Sequence, residues 1–267
     1  MRENILRALW QRDAYAVNGW LSLPATFSAE LMAHQGWDSL TIDLQHGLID
    51  YQAAVGMLQA ISTTATVPLV RVPWLDPAII MKVLDAGAYG VICPMINSAA
   101  EAAEFVAACR YPPAGTRSCG PIRANIYAGA DYIAHANRTI ITMAMIETRS
   151  GLDHLDEILS VEGLDAIYVG PSDLSLALGC EPRLDPVEAV VVEAIADIAA
   201  RARKKKIVPG IHTASPAGAQ KMIQQGFQFV TIGSEVRLMV EKVSEVLQRM
   251  GRGPSAAKPD STKSGPY

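Results

Sequence analysis

The chain has 267 residues, 50% hydrophobic, 19% charged and 6% aromatic, with a formal net charge of −4. Burial of so much apolar surface offsets chain entropy, which excludes a disordered polypeptide, and the mildly acidic balance leaves no electrostatic footprint for nucleic acid. No uninterrupted apolar stretch approaches the roughly 18–20 residues of a membrane-spanning helix, and residues 1–7 lack the apolar core and cleavage site of an export signal. A cytoplasmic globular protein with no membrane or nucleic-acid partner is expected.

In chain order, an apolar run at 17–21 reads as the first strand and 28–35 as the first helix. Gly36 then opens an aliphatic run that ends at Asp43. A helix over 50–62, a strand over 68–71 and a helix over 77–85 follow. Gly87 opens the next run, ending at Pro94, and 98–109 reads as a helix. Residues 110–138, rich in Gly, Pro and Arg, read as a long connection after the fourth strand, and connections of that length are commonly lids or binding loops. Beyond it come a strand over 139–146, a helix over 151–159, and a run from Gly163 to Gly170. A helix-start signal at 170–174 precedes a helix over 186–203 and a strand over 207–212. A helix over 216–225, a run from Gly226 to Gly233 and a helix over 235–249 complete the pattern.

The unit in which a helix closes on Gly and an aliphatic run follows occurs at Gly36, Gly87, Gly163 and Gly226. Glycine closes a helix in the left-handed conformation that other residues reach only at a cost. The short run after it reads as a parallel strand buried on both faces. Eight such strands alternating with helices predict a (β/α)8 barrel as a single domain over 1–250. A doubly wound open sheet is the competitor, but no GxGxxG follows the first strand. Residues 251–267 hold Gly, Pro, Ser and Lys and read as a flexible tail. The four cysteines lack metal or redox spacing; three are expected to be packed and Cys119 to be exposed in a loop.

In such a barrel the chemistry sits at the C-terminal strand ends. The polar residues there are Asp43, Gln45 and His46, then Arg71, Glu147, the Gly170-Pro171-Ser172-Asp173 turn and His212, with Arg117 and Arg123 offered by the long connection. Glu147 and Asp173, delivered by adjacent strands, could share a hard divalent cation, or each could cap a helix or pair with an arginine. The amides of Ser172 and Asp173 form either an anion site or a plain helix cap. His46 reads as a general base or as a structural histidine. Arg71 closes an apolar strand and calls for a carbonyl or carboxylate partner, or for a salt bridge across the barrel mouth. No lysine ends a strand, which disfavours a Schiff base and leaves a metal as the electron sink for carbonyl chemistry.

Several segments together resemble the metal-dependent (class II) pyruvate aldolases of the HpcH/HpaI aldolase/citrate lyase family. They are Ile42-Asp43-Leu44-Gln45-His46-Gly47, Val70-Arg71-Val72-Pro73, Lys82-Val83-Leu84-Asp85-Ala86-Gly87-Ala88, Arg110-Tyr111-Pro112-Pro113-Ala114-Gly115-Thr116-Arg117, Ile146-Glu147-Thr148 and Gly170-Pro171-Ser172-Asp173-Leu174. Members of the family include 4-hydroxy-2-oxoheptanedioate and 2-dehydro-3-deoxyglucarate aldolases, of aromatic or sugar acid catabolism. The likeness runs from about Gly19 to about Leu247.

The resemblance implies reversible cleavage of a 4-hydroxy-2-oxo acid into pyruvate, or a related 2-oxo acid, and an aldehyde through a metal-stabilised enolate. Glu147 and Asp173 would hold Mg²⁺ or Mn²⁺, with Co²⁺ a further option. Ser172 and Asp173 would meet the substrate carboxylate through their amides, and Arg71 the keto oxygen. His46 would act in acid–base steps, oriented by Asp85 from a neighbouring subunit, and Arg123 would meet the acceptor. A homo-oligomer is implied, a hexamer arranged as a trimer of dimers with exchanged C-terminal helices. The chain departs from the family where Gln45 stands for a common Glu and Met145 for a common Gln, which bears on the acceptor. Two competitors are a CoA-thioester lyase or condensing enzyme on the same scaffold, for which Arg110, Arg117, Arg123 and Arg138 offer phosphate contacts, and a non-catalytic 2-oxo acid sensor.

Overall fold

Each of the four helix-closing glycines has positive φ, 90° at Gly36, 103° at Gly87, 84° at Gly163 and 95° at Gly226, and each turns the chain from a helix into a strand. The computed structural model describes residues 1–253. It begins with α1 (Ile5–Gln11), after which β1 (Ala16–Leu21) leads into α2 (Thr26–Ala33), β2 (Ser39–Asp43) into α3 (Tyr51–Ile61) and β3 (Val67–Arg71) into α4 (Pro77–Asp85). β4 (Gly90–Cys93) is followed by α5 (Ala99–Ala108), α6 (Ile122–Ala128) and α7 (Tyr132–Thr139). β5 (Ile141–Ile146) is followed by α8 (Arg149–Asp153) and α9 (Leu155–Ile158), and β6 (Ala166–Val169) by α10 (Pro171–Ala177) and α11 (Ala189–Lys204). β7 (Val208–Thr213), α12 (Pro216–Gln224), β8 (Phe229–Ile232) and α13 (Glu235–Arg249) complete the order.

All eight strands pair in parallel and in sequence order, and β8 pairs with β1 to close the barrel. The expected (β/α)8 barrel is the observed fold. Short strand-to-helix loops end in side-chain caps: Asp50, Asp76, Ser98, Thr148 and Ser215 each accept an amide from the first turn of the following helix. The part of the expected tail from 254 onward lies outside the described residues. Among the described residues no helix is long and apolar enough to cross a membrane.

Three expectations change. Residues 110–138 leave the helix expected over 98–109 and enter the fifth strand, so both of their ends lie at the N-terminal end of the barrel. They do not form a lid over the strand ends. They fold as α6 and α7 and bind the underside: the Arg2 amide donates to Ala128 O, and Arg117 meets Asp85. α1, absent from the sequence reading, plugs the same end, where buried Asn4 Nδ2 donates to Tyr89 O and Thr139 O. The helix expected over 151–159 is divided into α8 and α9 at His154. Of the cysteines, Cys93 and Cys109 are buried, Cys180 is half-buried and Cys119 is exposed.

A charged hub braces this end. Asp165 receives Arg7 at 2.8 Å and Arg110 at 3.0 Å, together with the Thr142 amide. Arg110 is buried, so removing its carboxylate leaves a cation in low dielectric. Asp165→Ala is expected to destabilise the fold by about 3 kcal/mol, read from urea unfolding. A loss below about 1 kcal/mol, the range of an exposed pair, would contradict the assignment.

Candidate active site

Successive residues of a strand alternate between the inside and the outside of a barrel. Inward positions of β1, β2, β6 and β8 here carry polar and aromatic groups. Below the mouth, Asn18 Oδ1 accepts from Ser39 and Thr41, and its Nδ2 donates to Thr231 Oγ1 at 3.0 Å. The Tyr168 hydroxyl donates to Thr231 Oγ1 at 2.8 Å and lies 3.0 Å from His212 Nδ1. This buried layer satisfies its own hydrogen bonds and supports the next layer up, which holds Trp20, Asp43, Arg71 and His212.

In that upper layer Arg71 donates to Asp43 twice, Nε to Oδ1 at 2.8 Å and Nη2 to Oδ2 at 2.6 Å. The register places Asp43 directly beside Arg71 on adjacent strands. Trp20 donates its indole N–H to Asp43 Oδ2 at 3.2 Å, and its ring lies 4.7 Å from the guanidinium. Burial opposes the charge of Asp43, but the hydrogen bonds and charge of Arg71 outweigh it and hold the carboxyl below its ordinary value. Burial likewise opposes Arg71, and Asp43 restores its charge.

Asp43 also shapes the loop behind it, because its Oδ1 accepts the amides of Gln45 and His46. His46 is thereby set at the cavity wall. Burial, with Arg71 beside it, lowers the His46 pKa, so the imidazole is neutral near pH 7. His212, half-buried in the cavity wall, is lowered further, to about 3, by burial and Arg71.

Glu147 follows β5. One of its carboxylate oxygens accepts the Met95 amide at 2.9 Å, and a Cβ at position 170 would collide with the other, so the facing residue is glycine. Burial and the charge of nearby Asp173 push the Glu147 pKa up to about 7, against the Met95 amide. A carboxylate whose proton affinity is raised by burial and by a second carboxylate nearby fits a cation between the two. Among the described residues no third acidic, His or Cys side chain completes a metal cluster. Such a site is open, with positions left for water or substrate oxygens. Ser172, buried beside Asp173 at the start of α10, has an Oγ without a hydrogen-bond partner. His46, Arg71, Ser172 and Asp173 line a cavity of about 860 Å³, and Glu147 lies behind its wall against Gly170.

The structure therefore brings His46, Arg71, Glu147, Ser172 and Asp173 together at the barrel mouth. It does not bring Asp85 or Arg123 there. Asp85 ends α4 at the opposite end of the barrel, bound to Arg117 at 2.6 Å. Arg123 donates to the carbonyls of Ala86 and Leu58 and to Ser62 Oγ. Arg110, Arg117 and Arg138 share that end, where Arg110 binds Asp165 and Arg138 approaches His135, so the observation behind a thioester reading is absent from this mouth. Met145 is buried and lines the cavity; Gln45 has its side-chain oxygen buried without a partner. Sequence reading missed Trp20 and Tyr168. Their signal is alternation within apolar runs, since Asn18 and Trp20 share the inward face of β1.

The sequence matches the profile of the HpcH/HpaI aldolase/citrate lyase family over residues 19–241. It is 42% identical over 244 residues to a hydroxypyruvate/pyruvate aldolase of Rhizorhabdus wittichii, covering 91% of this chain and 97% of that protein. It is 35% identical over 262 residues to a 4-hydroxy-2-oxo-heptane-1,7-dioate aldolase of Escherichia coli, covering 96% and 98%. The crystal structure of an HpcH/HpaI aldolase/citrate lyase family protein from Burkholderia cenocepacia matches with a TM-score of 0.87 at 28% identity, covering 93% of this chain and 99% of that one.

The raised Glu147 pKa has a measurable consequence. Between pH 4.5, the ordinary value, and about 7, the folded chain holds a proton that the unfolded chain has lost, so without a cation stability falls as pH rises through that window. Glu147→Gln removes the charge. At about pH 8 it is expected to melt above the cation-free wild type, the gap closing by about pH 4.5. A gap independent of pH in thermal unfolding would contradict this.

Proposed function

The chain belongs to the HpcH/HpaI aldolase/citrate lyase family, and from that footing we propose that its barrel mouth reversibly cleaves a 4-hydroxy-2-oxo acid into pyruvate, or a related 2-oxo acid, and an aldehyde. It is a carbon–carbon lyase of the aldolase kind. The observation that carries the assignment of roles is the clamped Arg71 beside the Glu147–Asp173 pair and a neutral His46.

Glu147 and Asp173 would hold a divalent cation, which when bound would supply positive charge to polarise the keto group of a 2-oxo acid. The all-oxygen donor set supports Mg²⁺ or Mn²⁺. Asp43 occupies Nε and Nη2 of Arg71 and leaves Nη1 for the keto oxygen, where negative charge grows as the carbon–carbon bond breaks. Because that guanidinium is already oriented, little reorganisation is needed at the moment of reaction. Ser172, with the amides at the start of α10, faces the substrate carboxylate. In the cleavage direction His46, neutral at working pH, takes the proton from the 4-hydroxyl, and the same group returns it in synthesis. The lysines before the C-terminal region lie on helices or their ends, at Lys82, Lys204, Lys205, Lys206 and Lys221, which suits a route without a Schiff base.

Assembly belongs to the same proposal. α13 exposes Leu238, Met239, Val243 and Met250 along its length, which supports packing of this helix on a second copy in a homo-oligomer. Asp85 and Arg123 reach a substrate only if the underside of one copy meets the mouth of another.

Pyruvate methyl-proton exchange in D2O, followed by NMR, tests the reading. Exchange is expected with Mn²⁺ or Mg²⁺ and is expected to stop with EDTA. Arg71→Lys is expected to slow it by about 10²-fold. Exchange indifferent to EDTA, or equally fast in the variant, would sink the proposal.

A further inference from the structure

A molecule as small as pyruvate fills a minor part of a cavity of about 860 Å³. The remainder is available to the aldehyde, and its wall is chemically ordered. The Arg71 guanidinium lies 4.7 Å from the Trp20 ring, and the Trp20 and His212 rings are 5.0 Å apart. Next comes Arg237, on the first turn of α13, which also lines the cavity and whose charge reaches His212.

Arg237 differs from the buried arginines elsewhere in the barrel. Arg71 has Asp43, Arg110 has Asp165 and Arg117 has Asp85. Among the described residues Arg237 forms no ion pair, and its Nη1 is buried with no hydrogen-bond partner. Glu241, one turn further along the same rim, is exposed and makes no salt bridge with it. His212 is neutral and Arg71 is matched by Asp43, so among the described residues Arg237 is the cation of this wall without a carboxylate partner. A half-buried guanidinium with an unmet donor is satisfied best by a carboxylate, which it can grip through two parallel hydrogen bonds.

Building on the lyase reading, we infer that Arg237 is a specificity-determining residue that binds a carboxylate at the end of the acceptor aldehyde remote from its carbonyl. The acceptor is then an aldehyde acid: its carbonyl meets the enolate carbon near Arg71, its chain passes Trp20 and His212, and its anionic end rests on α13. Arg237 takes no part in bond making.

The test compares 4-oxobutanoate with butanal, acceptors of equal length and different charge, with pyruvate as donor. Arg237→Met is expected to lower kcat/KM for 4-oxobutanoate about tenfold or more, mainly through KM, and that for butanal by less than about twofold. Arg237→Lys is expected to recover part of the loss. Equal losses with both aldehydes, or none with 4-oxobutanoate, would overturn the inference. Methyl exchange of pyruvate needs no aldehyde, so its absence in the wild type would count against the lyase reading and not against Arg237. In that event calorimetric binding of 4-oxobutanoate decides: binding about tenfold weaker to Arg237→Met supports the role, and equal binding overturns it.

Discussion

The ion pair between Asp43 and Arg71 is the contact on which the barrel mouth depends. A buried guanidinium is tolerated only with its charge matched. Asp43 matches it through two short hydrogen bonds, and Trp20 fixes the carboxylate and covers the cation. The same carboxylate accepts the amides of Gln45 and His46. One side chain therefore sets the direction of the cation and the position of the imidazole. Substituting it would disturb charge, loop and base together.

The two ends of the barrel carry different loads. At the C-terminal end burial and the charge of Asp173 raise the proton affinity of Glu147, an arrangement that costs stability unless a cation relieves it. At the N-terminal end charges are neutralised within the chain: Asp165 receives Arg7 and Arg110, Asp85 receives Arg117, and Arg123 is held by carbonyls. Charge left without a counter-charge thus lies where ligands can enter. The polar layer of Asn18, Ser39, Thr41, Thr231 and Tyr168 lies beneath it and holds the strand ends in register.

Much of this was legible in the sequence because parallel barrels impose a strict grammar. A glycine that must adopt positive φ between a helix and a strand marks four of the eight units, and the polar residue ending each apolar run marks the mouth. His46, Arg71, Glu147 and Asp173 were found that way. Residues 110–138 were misplaced because composition says that a segment is irregular but not which end of the barrel it occupies. That follows from the helix it leaves: the helix expected over 98–109 ends at Cys109, at the N-terminal end of the barrel, and the lid expectation did not follow that through. Trp20 and Tyr168 were hidden by their chemistry: an aromatic in an apolar run reads as packing, and its hydrogen bond shows only when the barrel closes. Asp43 was visible as a rim residue, yet its pairing with Arg71 needs the register of β2 on β3.

The central claim is that the Glu147–Asp173 pair holds a divalent cation where a 2-oxo acid can reach both it and Arg71. Anomalous diffraction at the manganese edge, from crystals soaked with Mn²⁺ and pyruvate, addresses it directly. The account predicts one strong peak about 2.0–2.3 Å from carboxylate oxygens of both residues, with the keto oxygen of pyruvate facing Arg71. A peak elsewhere, or pyruvate bound away from Arg71 with that position vacant, would contradict it.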